Sequence, residues 1–168
     1  VVRNTDTSWT LENLPLTNLP QHAYAFDTQS PNFSITPSAT SGNVTLTASS
    51  VTTDTGTAQA GGASSITLKS GSSFSSDDAP NGMWVTLTSG TEAGQERYIS
   101  DYVGSTKVAT VFPAWDTQPT SSTGYKVEAF AASAVGNYIQ VVNTFGRAKI
   151  VEFTSATEVK TVVEVPFF

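Results

Sequence analysis

Ile99-Ser-Asp-Tyr-Val-Gly-Ser-Thr-Lys-Val-Ala-Thr-Val111 aligns without gaps to Ile150-Val-Glu-Phe-Thr-Ser-Ala-Thr-Glu-Val-Lys-Thr-Val162. Ile, Thr, Val, Thr and Val are shared, and Asp101 matches Glu152 and Tyr102 matches Phe153 in chemistry. The likeness extends upstream, where Gly82-Met-Trp-Val85 parallels Gly136-Asn-Tyr-Ile139, and Arg97 and Arg147 lie on the returning strands. Ile66-Thr-Leu68 precedes the first copy closely, whereas its counterpart Val44-Thr-Leu46 is separated from the second copy by the whole of the first. Self-similarity of this kind marks a repeated supersecondary unit. The order implies nesting: an outer module of residues 34–52 plus 129–168 carries in one loop a second module, residues 53–128, after an extended segment 1–33. The other reading is one continuous sandwich of nine or ten strands in which a Val/Thr-rich composition imitates a repeat.

Either way the chain reads as all-β, in antiparallel barrel-like or sandwich-like modules. Apolar residues alternate with period 2 in short runs rich in Val, Ile, Thr and Tyr, such as Trp84–Leu87, Val108–Val111, Tyr138–Val141 and Val159–Val165. Ser41-Gly42-Asn43, Asn81-Gly82, Ser89-Gly90, Gly104-Ser105, Ser122-Thr-Gly124 and Phe145-Gly146 supply turns between them. Ile99, Tyr102, Val108, Ile150, Phe153 and Val159 are expected in the core. The flanks Thr52-Thr-Asp-Thr-Gly-Thr57 and Ala60-Gly-Gly-Ala63 are expected to be flexible enough to carry an insertion.

Composition narrows the function. Among 168 residues there are 26 Thr and 21 Ser, but only 13% charged residues, about half the usual share. Such a surface is wetted by hydroxyls. The net charge is -6 with no basic cluster, which argues against holding phosphate backbones, and no nucleic-acid-specific binding is expected. No Cys and a single His exclude thiolate metal sites and weaken most hydrolase and zinc schemes. No apolar stretch approaches the ~18 residues that cross a bilayer, so no membrane insertion is expected. The chain opens at Val1 without a methionine and reads as an excised or processed piece. Its apolar end, Pro166-Phe-Phe168, is expected to dock or to continue.

The repeat unit resembles small β-modules of tailed-bacteriophage virion proteins. Asp6-Thr-Ser-Trp9-Thr-Leu-Glu12, Pro15, Pro20 and Tyr24, then Thr36-Pro-Ser-Ala-Thr-Ser-Gly42-Asn-Val-Thr-Leu-Thr-Ala-Ser49 and Val135-Gly-Asn-Tyr-Ile139, resemble a segment of podovirus tail tubular (nozzle) proteins. In that family the outer module runs uninterrupted, so the insertion here is a departure. The resemblance implies a non-enzymatic virion component of the phage tail. Its implied partners are other copies of the chain in a ring and neighbouring tail proteins. The rival function is recognition of a host-surface glycan or a fibre protein by the inserted module.

Trp9, Trp84 and Trp115 are the rings able to stack on a sugar. The residues that carry the rival are Trp84 and Trp115, with Glu92 and Glu96 in the long Ser89–Glu96 hairpin. Burial in a core or between modules is the competing reading for Trp84, because alternation sets it opposite Met83 and Val85. Paired carboxylates at Asp77-Asp78, Glu92/Glu96 and Asp101/Asp116 admit a glycosidase in principle, but Asp77-Asp78 before Pro80 reads as a turn and lacks the spacing of a calcium loop. His22 has no Ser/Asp motif or second His to define a site, and the Gly pairs have no following Lys-Ser/Thr for a phosphate loop. No cofactor is implied.

Overall fold

The computed structural model describes residues 34–140 and 146–166, in which twelve strands form two antiparallel sheets. Residues 1–33, expected to be extended, with Trp9 and His22 among them, Phe145 of an expected turn, and the final Phe167-Phe168 lie outside the described residues. The strands are β1 (Ser34–Pro37), β2 (Gly42–Ser49), β3 (Asp54–Thr57), β4 (Ala60–Gly62), β5 (Ser65–Thr67), β6 (Trp84–Leu87), β7 (Glu96–Val103), β8 (Val108–Phe112), β9 (Gly124–Glu128), β10 (Tyr138–Gln140), β11 (Arg147–Ser155) and β12 (Glu158–Val165). Among the described residues no helix is long and apolar enough to cross a membrane.

One sheet has the order β1-β2-β12-β11-β10 and the other β3-β9-β6-β7-β8-β5-β4. Every strand of the seven-stranded sheet falls between β2 and β10, so one sheet is carried in a loop of the other. The smaller order recurs inside the larger one as β4-β5-β8-β7-β6, with the same chain direction at each step. The backbone hydrogen bonds repeat with it. Gly82 N–H donates to Ile99 O and Ile99 N–H to Met83 O at 2.9 and 2.8 Å; Gly136 donates to Ile150 and Ile150 to Asn137 at the same distances. Gly82 and Gly136 have φ of 84° and 92°, a conformation that glycine adopts without steric cost. Leu68 N–H donates to Lys107 O, and Ala48 N–H to Thr157 O, both at 2.8 Å.

The repeated hairpins also share a bulge. Pairing shifts between Ile99 and Asp101 and between Ile150 and Glu152, leaving Ser100 and Val151 as the extra residues. Ile99 and Tyr102, three apart in sequence, are both buried because the bulge resets the alternation. Past the hairpin turn the copies slip. Ile99 pairs with Val111, but Ile150 pairs with Thr161, so Val111 corresponds to Thr161 and not to Val162. The turn after Phe153 is one residue shorter than the turn after Tyr102. This slip corrects the expected core: Ile99, Tyr102, Ile150 and Val159 are buried, whereas Val108, one step out of phase, and Phe153, beside the short turn, are only half-buried. Thr161 sits in the core and satisfies its hydroxyl by donating to Val44 O at 3.0 Å. The upstream match shifts as well. Ile66, opposite Ala109, corresponds to Leu46, opposite Val159, and not to Val44.

The segments expected to be flexible are ordered instead. Residues 54–62 run as one stretch that pairs with β9 at its start and with β5 at its end, which curls the larger sheet until its two edges meet on the same piece of chain. Ala58 N–H donates to Thr123 O and Gln59 N–H to Thr67 O at the crossing point. A Cβ at Gly61 would lie 2.2 Å from Pro119 O, so the crossing admits no side chain there. Both faces of β6 are covered: Met83, Trp84, Val85 and Leu87 are all buried, and the Trp84 ring meets Tyr98 edge-on at 6.0 Å. Between the sheets, Ala129, Phe130, Ala131 and Ala134 are buried, Ala132–Ala134 forming a 3-10 turn.

Truncation of the two equivalent isoleucines checks this arrangement. Ile99→Ala and Ile150→Ala should each cost about 2–5 kcal/mol, as buried large-to-small changes do, while Ser100→Ala and Val151→Ala at the bulges stay within about 0.5 kcal/mol. Urea denaturation of the four variants measures this; losses at the bulge equal to those at the isoleucines would refute the shared bulge.

Candidate functional site

The hairpin connection between β6 and β7, residues 88–95, meets residues 113–117 that come after β8, and Arg97 stands at their junction. Its exposure is 9%, and its guanidinium is shared among protein acceptors. Nε donates to Ala114 O at 2.9 Å, Nη1 to Glu96 O at 2.9 Å, and Nη2 to Asp116 Oδ2 at 2.8 Å and to Gln95 Oε1 at 3.3 Å. The Arg97 head lies 5.5 Å from the centre of the Trp115 ring, close enough for a cation–π contact. Gln95 completes the seam: its Nε2 donates to Thr117 O and Glu92 O, and its Oε1 accepts from Asp116 N–H at 2.7 Å. A guanidinium engaged on all sides is a cross-brace; it has little left with which to clamp an external anion.

Trp115 is buried, and its indole N–H donates to Ser65 O at 3.1 Å. Trp84 is buried within β6. Neither ring offers a free face to a sugar. Glu92 is also buried: Oε2 accepts from the Thr91 hydroxyl at 3.1 Å, Oε1 has no hydrogen-bond partner among the described residues, and the carboxylate lies against the Gly90 backbone, where a Cβ would sit 2.7 Å away. Glu96 turns toward the other sheet, its Oε2 accepting from Ser133 N–H at 2.8 Å in the 3-10 turn. Trp115 therefore joins the Arg97 brace, while Trp84 lies in the β6 core, Glu92 inside its loop and Glu96 at the junction between sheets. The four do not converge on one ligand surface. Asp116 has its side chain 84% exposed but is paired with Arg97.

A second polar cluster had no signal in the sequence beyond a single Asp in a Thr-rich flank. Asp54, at the start of β3, has a fully buried side chain and accepts from Tyr125 Oη at 2.6 Å, from Lys69 Nζ at 2.9 Å, and from Ser73 N–H and Oγ at 3.3 and 3.2 Å. Burial raises its pKa, but the hydrogen bonds from Tyr125, Lys69 and Ser73, with the Lys69 charge, outweigh it and hold the carboxyl below its ordinary value. Burial pushes the Tyr125 hydroxyl up, and its hydrogen bond to Asp54 adds to this. Asp77 and Asp78 behave as turn residues: Asp77 Oδ1 accepts from Gly104 N–H, and Asp78 Oδ1, at a φ of 60°, from Asn81 Nδ2. Among the described residues no three His, Asp or Glu side chains converge as a metal site.

Comparison with protein-family models, curated proteins and solved structures found no match for this chain.

The Asp54 cluster sets a pH dependence. A carboxyl whose folded pKa lies below its unfolded value of about 4 contributes stability that is complete above that value and is lost as pH falls through the lowered one. Thermal melts of the natural chain should therefore lose Tm below about pH 4, and Asp54→Asn should flatten that part of the profile. At neutral pH, Tyr125→Phe, which removes a buried donor to a charged acceptor, should cost about 1–3 kcal/mol. A profile unchanged by Asp54→Asn would show that the carboxylate does not hold the fold.

Proposed function

We propose that this chain is a non-enzymatic structural domain of a phage virion tail, of the tail-tube or nozzle kind, working in assembly with copies of itself in a ring and with neighbouring tail proteins. The observation that carries this reading is the nested duplication itself. One β-unit is used twice, the second riding in a loop of the first, and the conspicuous charged and aromatic side chains are used within and between the units. Arg97, Gln95, Asp116 and Trp115 brace one unit, Asp54 and Tyr125 hold its base, and Glu96 ties it to the other. A chain that commits its polar side chains to its own rigidity suits a mechanical part. The proposed location, the phage tail, is supported by the sequence resemblance to virion modules.

Binding of a host-surface glycan by the inserted unit is the rival, and the buried rings of Trp84 and Trp115 speak against it. Quantitative mass spectrometry of the purified particle that contains this chain tests the reading, since a tube component occurs at a fixed multiple matching one ring. Expected is that fixed multiple, with no signal for the purified chain on a glycan array. Absence from the particle, or substoichiometric amounts with saturable glycan binding, would overturn it.

A further inference from the structure

Asn81-Gly82 is the one Asn-Gly step in the chain, and the fold does not call for an asparagine there. The glycine is repeated between the units: Gly82 donates to Ile99 O and Gly136 to Ile150 O, both at 2.9 Å. The residue before it is not repeated, since the outer unit has Val135, 44% exposed, in the place of Asn81. Asn-Gly is the step best suited to react with itself. Glycine puts no side chain in the way of its own nitrogen as that nitrogen approaches the preceding amide.

In the folded chain both reacting groups are held. Gly82 is buried, and its N–H is taken by Ile99 O. The Asn81 side chain is anchored through Nδ2, which donates to Asp78 Oδ1 at 2.8 Å, while Asn81 N–H donates to Asp78 O at 2.9 Å. Because a carboxylate only accepts, Asp78 fixes which way round the amide lies. That leaves Asn81 Oδ1 buried with no hydrogen-bond partner among the described residues, a standing cost to the closed form. Asp78 adds another with its φ of 60°, a region costly to any residue with a Cβ. Local opening is drawn from segments held at such cost.

We propose that Asn81 is a modification site that the fold keeps closed and that opening of the 78–82 loop from β7 exposes. Once Ile99 O is released, the Gly82 nitrogen gives its proton to water and bonds to Asn81 Cγ; the Cγ–Nδ2 bond breaks and ammonia leaves. Water then opens the cyclic imide at either carbonyl. The product is an aspartyl residue, or an isoaspartyl one whose main chain runs through Cγ. Neither closes again. The aspartyl form sets a second carboxylate where Nδ2 met Asp78, and two groups that only accept repel. The isoaspartyl form lengthens the main chain just ahead of the paired bonds Gly82 to Ile99 and Ile99 to Met83, at 2.9 and 2.8 Å, and takes them out of register. The step is one-way: it makes a transient opening permanent and adds a charge beside the exposed Asp77 and Asp78. The outer unit, with Val135, has no counterpart.

Trypsin cuts after Lys69 and Arg97, and the peptide between them holds Asn81 as its only asparagine, so tandem mass spectrometry of that peptide reads the site alone. During incubation of the full chain at mildly alkaline pH, Asn81 should be modified at least about tenfold more slowly in buffer than in urea, the measure of a site reached only by opening. Equal rates would overturn the proposal. In buffer Asp78→Ala should speed the modification severalfold, whereas Asp78→Asn, which keeps an acceptor, should not; variants that react alike would also count against it. The comparison of buffer with urea needs no variant, and neither does the last measurement. Chain modified in urea and returned to buffer should show Gly82 and Ile99 N–H exchanging at least about tenfold faster than in unmodified chain carried briefly through the same steps. Undiminished protection of both amides would overturn the one-way step.

Discussion

A unit carried in the loop of another must bring its two ends back to one place, and here that closure is made by β3 lying antiparallel to β9, with Asp54 opposite Val127. The pairing by itself is four residues long and sits at a sheet edge. The Asp54 carboxylate secures it by reaching into the core to take hydrogen bonds from Tyr125 of β9 and Ser73 of the loop after β5, with Lys69 as counter-charge. A buried carboxylate costs several kcal/mol of desolvation unless its oxygens are filled, and these are filled by Tyr125 near the far end of the insertion and by Lys69 and Ser73 from the stretch after β5. Lys69 also donates to Thr55 O, so one ammonium closes both the charge and the edge backbone. The curl of the larger sheet, the crossing at Gly61 and the return of the chain to β10 all follow from this closure.

The fold class could be read from the sequence because period-2 alternation and turn residues are local signals, and a nested repeat leaves its order on the chain. What could not be read depends on bulges and turns. A strict alternation assigns Ile99 and Tyr102 to opposite faces; only the extra residue Ser100 brings both inside. Likewise the gapless alignment hides the one-residue difference between the two hairpin turns, and so equates Val108 with Val159, although the first is half-buried and the second enclosed. Flanks rich in Thr and Gly were expected to be loose, yet Asp54–Thr57 and Ala60–Gly62 are strands, because tertiary pairing overrides weak local propensity.

The candidate site was less legible for a related reason. Residue type and exposure are easily confused in a chain with so few charges, since each Trp, Glu or Arg stands out against Ser and Thr. Trp115 is drawn inward by the acceptor at Ser65 and by Arg97 over its ring, and Glu96 is taken by the Ser133 backbone, which is distant in sequence. No local pattern announces such long-range contacts. Asp54, by contrast, is one carboxylate among threonines, and its weight comes wholly from partners brought together by the topology.

The two copies also show how a repeat survives divergence. Val111 and Thr161 occupy the same enclosed position, and the exchange of a methyl for a hydroxyl there would leave a buried donor at a cost of about 1–3 kcal/mol if it were unpaired. The cost is avoided because β2 runs alongside β12, and Val44 O lies 3.0 Å from the hydroxyl. The slip of register past the short turn is absorbed in the same way. β2 pairs with β12 in the shifted frame, as Ala48 to Thr157 shows beside Leu68 to Lys107, so the hydrogen-bond ladder is kept while the side chains are reassigned. Backbone pairing is therefore the element of this unit that the two copies hold in common, and the side chains are free to specialise, toward an enclosed hydroxyl in one copy and a braced arginine in the other.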